Sequence, residues 1–220
     1  MSYILNLETS TTNCSVSLSF ENDLVDCIEQ DSLNYSHSEN LHVFIKELLN
    51  KNNTELNQLS AISVSRGPGS YTGLRIGLSA AKGLCYGLDI PLISISSLKI
   101  LANSVKFDGF TVATMDARRD EVYSCIYDPN LNVIREEKPE IINHKSFIDI
   151  SKNNKLLFIG DGQFKCKELI NTNDNFSFES SIIRPTSKNM IDLAFDKLKN
   201  SDFEDLAYFE PKYLKEFRTN

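Results

Sequence analysis

The chain of 220 residues carries 41% hydrophobic side chains, enough for a packed core, and a formal net charge of −7 with a pI near 5.1. That balance excludes a protein that grips nucleic acid by itself, because phosphate binding rests on clustered Lys and Arg. The five cysteines are widely spaced with no C-x-x-C, the opening "MSYILNLETS" lacks the basic stretch of a signal peptide, and no apolar run reaches the ~18 residues of a membrane span, so free thiols and a cytoplasmic protein are expected.

In chain order, "YILNLET" (Tyr3–Thr9) reads as a strand, "CSVSLSF" (Cys14–Phe20) alternates at period two, and "DLVDCIEQ" makes a third strand after the turn signal "EN". "SHSENLHVFIKELLNK" then switches to helical spacing, with Leu41, Phe44, Ile45, Leu48 and Leu49 at i, i+3, i+4, i+7 and i+8 and with Ser36 or Ser38 as cap. Next come a strand at Ala61–Ser65, a helix at Thr72–Leu88, a strand at Pro91–Ile95 and a short helix near Ser97–Ser104. The pattern repeats: "GFTVATMDA", "EVYSCIY" and "LNVIREEK" read as strands, followed by a short helix around Lys145–Ile150, the strand "KLLFIG" and a helix from Phe164. Two βββαβα halves predict a duplicated α/β fold with mixed sheets. The domains expected are 1–104 and 105–220, with the last helix or tail packing back on the first.

"SRGPGSYTGLRIGLSAAKGL" (Ser65–Leu84) holds five of the nine glycines. It fails as a Walker loop: the sixth position from Gly67 is Thr72, that from Gly69 is Leu74, and no lysine follows. It fails as G-x-G-x-x-G because Gly73 falls one residue late. In the helix that follows, Leu74, Leu78, Ala81, Cys85 and Leu88 line one face, and Gly73, Gly77, Ala80 and Gly87 form a stripe of small residues beside it. Such a stripe admits another backbone, either the chain's own sheet or a partner helix, and spacing alone leaves both open.

The segment "GPGSYTGLRIGLSAAKGL" closely resembles the signature of the TsaB (YeaZ) family, a bacterial subunit of the machinery for threonylcarbamoyladenosine (t6A) in tRNA. "ILNLETSTTNCSVSL" resembles that family's opening hairpin and "HSENLHVFIKELL" its first helix. "MDARRDEVYSCIY", "IGDG" and "PKYLK" resemble its second hairpin, its later glycine turn and its tail. Glu8 stands where many members carry Asp, and Lys215 where many carry Arg. The resemblance implies an actin/sugar-kinase/Hsp70-like (ASKHA) fold. It further implies a non-catalytic role beside the catalytic paralogue TsaD and the ATPase TsaE, with tRNA met only through the complex. An ATP-dependent small-molecule kinase of the same superfamily is the alternative.

The metal-dependent paralogue follows a similar glycine helix with an H-x-x-x-H pair, and here Ser97 and Leu101 occupy those positions. A hydroxyl and an isobutyl group cannot replace two imidazoles, so no metal, no catalytic residue and no cofactor required by this chain are expected. ATP or ADP would sit at the complex interface. Of the three histidines, His37 and His42 are five apart and point about 140° from each other on a helix, and His144 stands alone before a short helix. Ser70 and Thr72 lack a recognisable base for nucleophilic catalysis. "DARRDE" (Asp116–Glu121) reads as a solvated hairpin turn. By the resemblance, Glu8, Thr9, Ser10, Asp116, Gly160, Asp161 and Gly162 mark a vestigial nucleotide cleft. The partner surface, shared with a homodimer of the lone chain, is expected at His42, Ile45, Leu49, Gly73, Leu74, Gly77, Leu78, Ala80 and Ala81.

Overall fold

A computed structural model describes residues 2–32 and 37–215. The chain forms two compact units, Met1–Ile100 with Pro185–Lys212, and Leu101–Arg184 with Tyr213–Asn220.

The first unit is built on β1 (Tyr3–Glu8), β2 (Asn13–Phe20), β3 (Asp23–Asp31), β4 (Leu59–Ser65) and β5 (Leu92–Ile95) in the order β3-β2-β1-β4-β5. The first three pair antiparallel, whereas β4 and β5 join in parallel. Parallel pairing needs crossovers, and α1 (His37–Lys51), α2 (Tyr71–Leu88) and α3 (Ser97–Ala102) occupy the connections around these strands. Alternation splits the sheet into two faces. Leu5, Leu7, Val16, Leu18, Ile62 and Val64 pack with Leu41, Ile45 and Leu48 of α1 and Leu78 and Ala81 of α2. On the other face Ile4, Ala61, Ile93 and Ile95 meet Met190 and Ala194, at and just before α6 (Ile191–Lys199).

The second unit repeats this plan. β6 (Phe110–Asp116), β7 (Glu121–Tyr127), β8 (Val133–Ile141), β9 (Leu156–Ile159) and β10 (Phe176–Phe178) run in the order β10-β9-β6-β7-β8. Reading each sheet from its third strand gives the same sequence of neighbours, which is the duplication expected from the repeated pattern. Phe158 anchors the core, edge-on to Phe147 at 5.2 Å and stacked on Phe178 at 4.9 Å.

Several boundaries shift. Ser36 lies outside the described residues, and Ser38 sits inside the first turn of α1. The short helix, α4, is Ile148–Ser151 because Phe147 adopts the left-handed conformation (φ 63°) ahead of it. A further helix, α5 (Gly162–Leu169), starts two residues before Phe164.

Candidate functional site

The glycine segment enters α2 through Ser70, whose Oγ accepts from the Gly73 amide at 3.2 Å. The first half of the helix is closed by the turn after β1. Ser70 N donates to Ser10 O at 2.7 Å, and Thr9 Oγ1 donates to Gly73 O at 2.9 Å. A Cβ on Gly73 would overlap Thr9 O, and one on Gly77 would overlap Thr9 Oγ1. These glycines therefore thin the helix for the chain's own backbone. That corrects the expectation that Gly77 opens onto a partner. Ile45, Leu49, Leu74, Leu78, Ala80 and Ala81 are also buried in the first unit, covering a sheet face that must be shielded from water; His42 alone of the expected interface residues is exposed.

The second half of α2 is different. Gly83 and Gly87 are exposed, and among the described residues nothing beyond the helix's own backbone and the adjoining residues would lie within 4 Å of an added Cβ at either. Gly in a helix interior costs about 1 kcal/mol against Ala, and no packing among the described residues accounts for that cost here. Gly83 lines an open groove of about 710 Å³ between α1 and α2, with His42, Tyr71, Thr72, Arg75 and Ser79. Arg75 lies over the Tyr71 ring at 4.0 Å, and Tyr86, one turn from Gly83, is 84% exposed.

The residues expected at a nucleotide cleft fall in both units. In the first, Glu8, Thr9 and Ser10 are all buried. Glu8 Oε1 accepts from Ser10 N at 2.6 Å, and burial pushes the Glu8 carboxyl from 4.5 up to about 7 against that bond. The Thr9 hydroxyl is thus tied to α2, whereas the buried Ser10 Oγ has no hydrogen-bond partner among the described residues. In the second unit Asp116, Gly160, Asp161 and Gly162 come together. Gly160 (φ 87°) passes so close to Thr114 O that only glycine fits. Asp116 N donates to Asp161 Oδ1 at 2.8 Å, and Asp116 Oδ2 pairs with Lys165 Nζ at 3.1 Å. Gln163, which the sequence reading passed over, fastens the glycine turn, its Nε2 donating to Gly160 O and Glu179 O, both at 2.9 Å. The Asp116–Glu121 segment is a hairpin turn with Arg118 and Arg119 exposed at its tip.

Ser97 is wholly buried, as is Leu101, and among the described residues no cluster of three or more His, Cys, Asp or Glu side chains could hold a metal. His37 is buried and donates from Nε2 to Thr11 O at 2.6 Å, burial keeping its pKa low, while His42 and His144 are exposed. The Ser70 hydroxyl is engaged as a helix cap, accepting from the Gly73 amide. Among the described residues no helix is long and apolar enough to cross a membrane.

A family model described as TsaD, tRNA N6-adenosine threonylcarbamoyltransferase, matches residues 32–218. The chain is 29% identical over 222 residues to the tRNA threonylcarbamoyladenosine biosynthesis protein TsaB of Escherichia coli (strain K12), covering 96% of this chain and 94% of that protein. It is 34% identical over 178 residues to TsaB of Bacillus subtilis (strain 168), covering 76% and 74%. The structure of YeaZ from Pseudomonas aeruginosa superposes with a TM-score of 0.85 at 25% identity, over 97% of this chain and 100% of that one. The activator of 2-hydroxyisocaproyl-CoA dehydratase from Clostridium difficile, with bound ADPNP, shares the fold at a TM-score of 0.50 and 11% identity, over 91% and 96% of the two chains. The fold is the duplicated ASKHA architecture.

Proposed function

The chain belongs to the family of the tRNA threonylcarbamoyladenosine biosynthesis protein TsaB, and on that premise we propose that it is a non-catalytic subunit of the t6A machinery, binding and supporting the catalytic paralogue TsaD together with the ATPase TsaE. It works in the cytoplasm and meets tRNA only through the complex. The observation that carries this reading is the pair Gly83 and Gly87, small residues on an exposed helix face beside the α1–α2 groove, with open space where a partner backbone can approach. Tyr86 adds an exposed aromatic of the kind that anchors interfaces. The absence of chemistry in this chain is supported by residue type. Ser97 and Leu101 supply no ligand where the paralogue's histidine pair would stand, and the Thr9–Ser10 turn is closed under α2. Nucleotide, where the complex uses it, sits at the interface with the partner.

A native pull-down of the full chain from its own cell extract, with partners identified by mass spectrometry, tests the proposal. It should recover the transferase. Recovery of neither transferase nor ATPase, with a reconstituted transferase making t6A unaided, would refute it.

A further inference from the structure

The face of the first sheet that looks toward α6 carries a band of small polar side chains where a dry core would place aliphatic ones. Asn6 on β1 lies directly opposite Ser17 on β2 and Ser63 on β4. Register partners present their side chains on the same face. All three residues are fully buried. The ends of the band are satisfied: Ser15 Oγ lies 2.8 Å from Ser187 Oγ and accepts from the Ser187 amide at 3.0 Å, Ser19 Oγ donates to Ile4 O at 3.4 Å, and Ser65 Oγ accepts from Thr9 N at 3.4 Å. The centre is not. Asn6 Nδ2 reaches Ser19 Oγ at 3.5 Å, but Asn6 Oδ1, Ser17 Oγ and Ser63 Oγ have no hydrogen-bond partner among the described residues, and neither does Glu8 Oε2, two residues along the same strand on the same face.

Buried polar side-chain atoms are nearly always hydrogen-bonded, to protein or to ordered water. Three unpaired groups at adjacent register positions point to one shared partner and not to three separate defects. Neighbouring strands lie about 4.8 Å apart, so a molecule seated over Asn6 is within reach of a side chain on either flank. The residues beside it are small (Ser17, Ser63 and Ala61). A buried water typically takes about three hydrogen bonds, and this band supplies acceptors in Asn6 and Glu8 and two hydroxyls able to donate or accept.

We propose that the α6-facing side of the first sheet is an internal water-binding site, in which one or two ordered waters bridge Asn6 Oδ1 to the hydroxyls of Ser17 and Ser63. The site places water within the layer between β1 and α6, beside the aliphatic contacts that Ile4, Ala61, Ile93 and Ile95 make with Met190 and Ala194.

The test is a high-resolution crystal structure of the full chain combined with melting of Ser17→Ala and Ser63→Ala. Solvent density at about 2.6–3.2 Å from Asn6 Oδ1 and from Ser17 or Ser63 Oγ supports the site. Direct hydrogen bonds among these side chains with no solvent peak would overturn it. So would a peak ringed by oxygens at about 2.3–2.6 Å, which marks a cation. In a hydrated seam each Ser→Ala change removes a partner from the water, and Tm falls by about 2–4 °C. In a dry seam the same change removes an unsatisfied hydroxyl, and a rise in Tm for either variant contradicts the proposal.

Discussion

Thr9 and Gly77 share one space: the Thr9 hydroxyl, bonded to Gly73 O at 2.9 Å, lies where a Cβ on residue 77 would stand. Gly77→Ala should therefore destabilise the fold by about 1–3 kcal/mol. Because the obstacle is a side chain, Thr9→Ala should recover part of that loss. At Gly73 the obstacle is the Thr9 carbonyl, so Gly73→Ala should be costly with no relief from Thr9→Ala. Denaturant melts of the three single and two double variants measure this as a coupling energy; equal coupling at both positions would contradict the geometry.

Glu8 makes the first unit sensitive to alkali. Its carboxyl, fully buried, is raised from 4.5 to about 7. The folded state thus holds a proton that the unfolded state releases. The contribution to stability is full below about pH 4.5 and is lost as pH rises through 7, a swing of about 3 kcal/mol. Glu8→Gln should flatten this part of the stability profile and leave the variant more stable than the parent at pH 9. Parallel profiles for the two proteins between pH 5 and 9 would contradict the assignment.

Much of this molecule was legible from spacing. The 3.6-residue period of Leu41, Ile45, Leu48 and Leu49 defines α1, and the alternating serines of "CSVSLSF" define β2. What spacing could not decide was which half of α2 faces inward. Both halves carry small residues, and the choice is made by Thr9, more than 60 positions away. The residues that α6 meets on the first sheet are set non-locally as well, since Ile4 and Ala194 meet only after the whole second unit has intervened. β10 has three residues, too few to show a period. Gln163 left no signal because its role rests on carbonyls of a loop far along the chain, Glu179 O and Ile182 O.

The isolated chain should hold neither metal nor tightly bound nucleotide. Serine and leucine at 97 and 101 supply no imidazole, and the Thr9–Ser10 turn is enclosed. Elemental analysis should find less than a tenth of an equivalent of iron or zinc, by order of magnitude, and calorimetric titration with ATP and magnesium should show no heat at micromolar concentration. One metal ion per chain, or micromolar ATP binding, would revive an enzymatic reading.

The α1–α2 groove is an open face that a second copy can cover, and a two-fold arrangement lets one patch pair with itself. Light scattering of the lone chain should report a homodimer that Gly83→Leu converts to monomer. A monomer at every concentration, or a dimer indifferent to Gly83→Leu, would remove that face from self-association.

The proposed partner surface is tested most directly by the binding of one variant, Gly83→Leu, to the transferase paralogue. The site is open, so the fold should keep or slightly exceed its melting temperature, since glycine is the poorer helix former. A leucine set against an approaching backbone should weaken association roughly ten- to a hundredfold, with t6A formation in a reconstituted tRNA reaction falling in step. A folded Gly83→Leu chain that binds the transferase as tightly as the parent and sustains t6A formation would contradict the account.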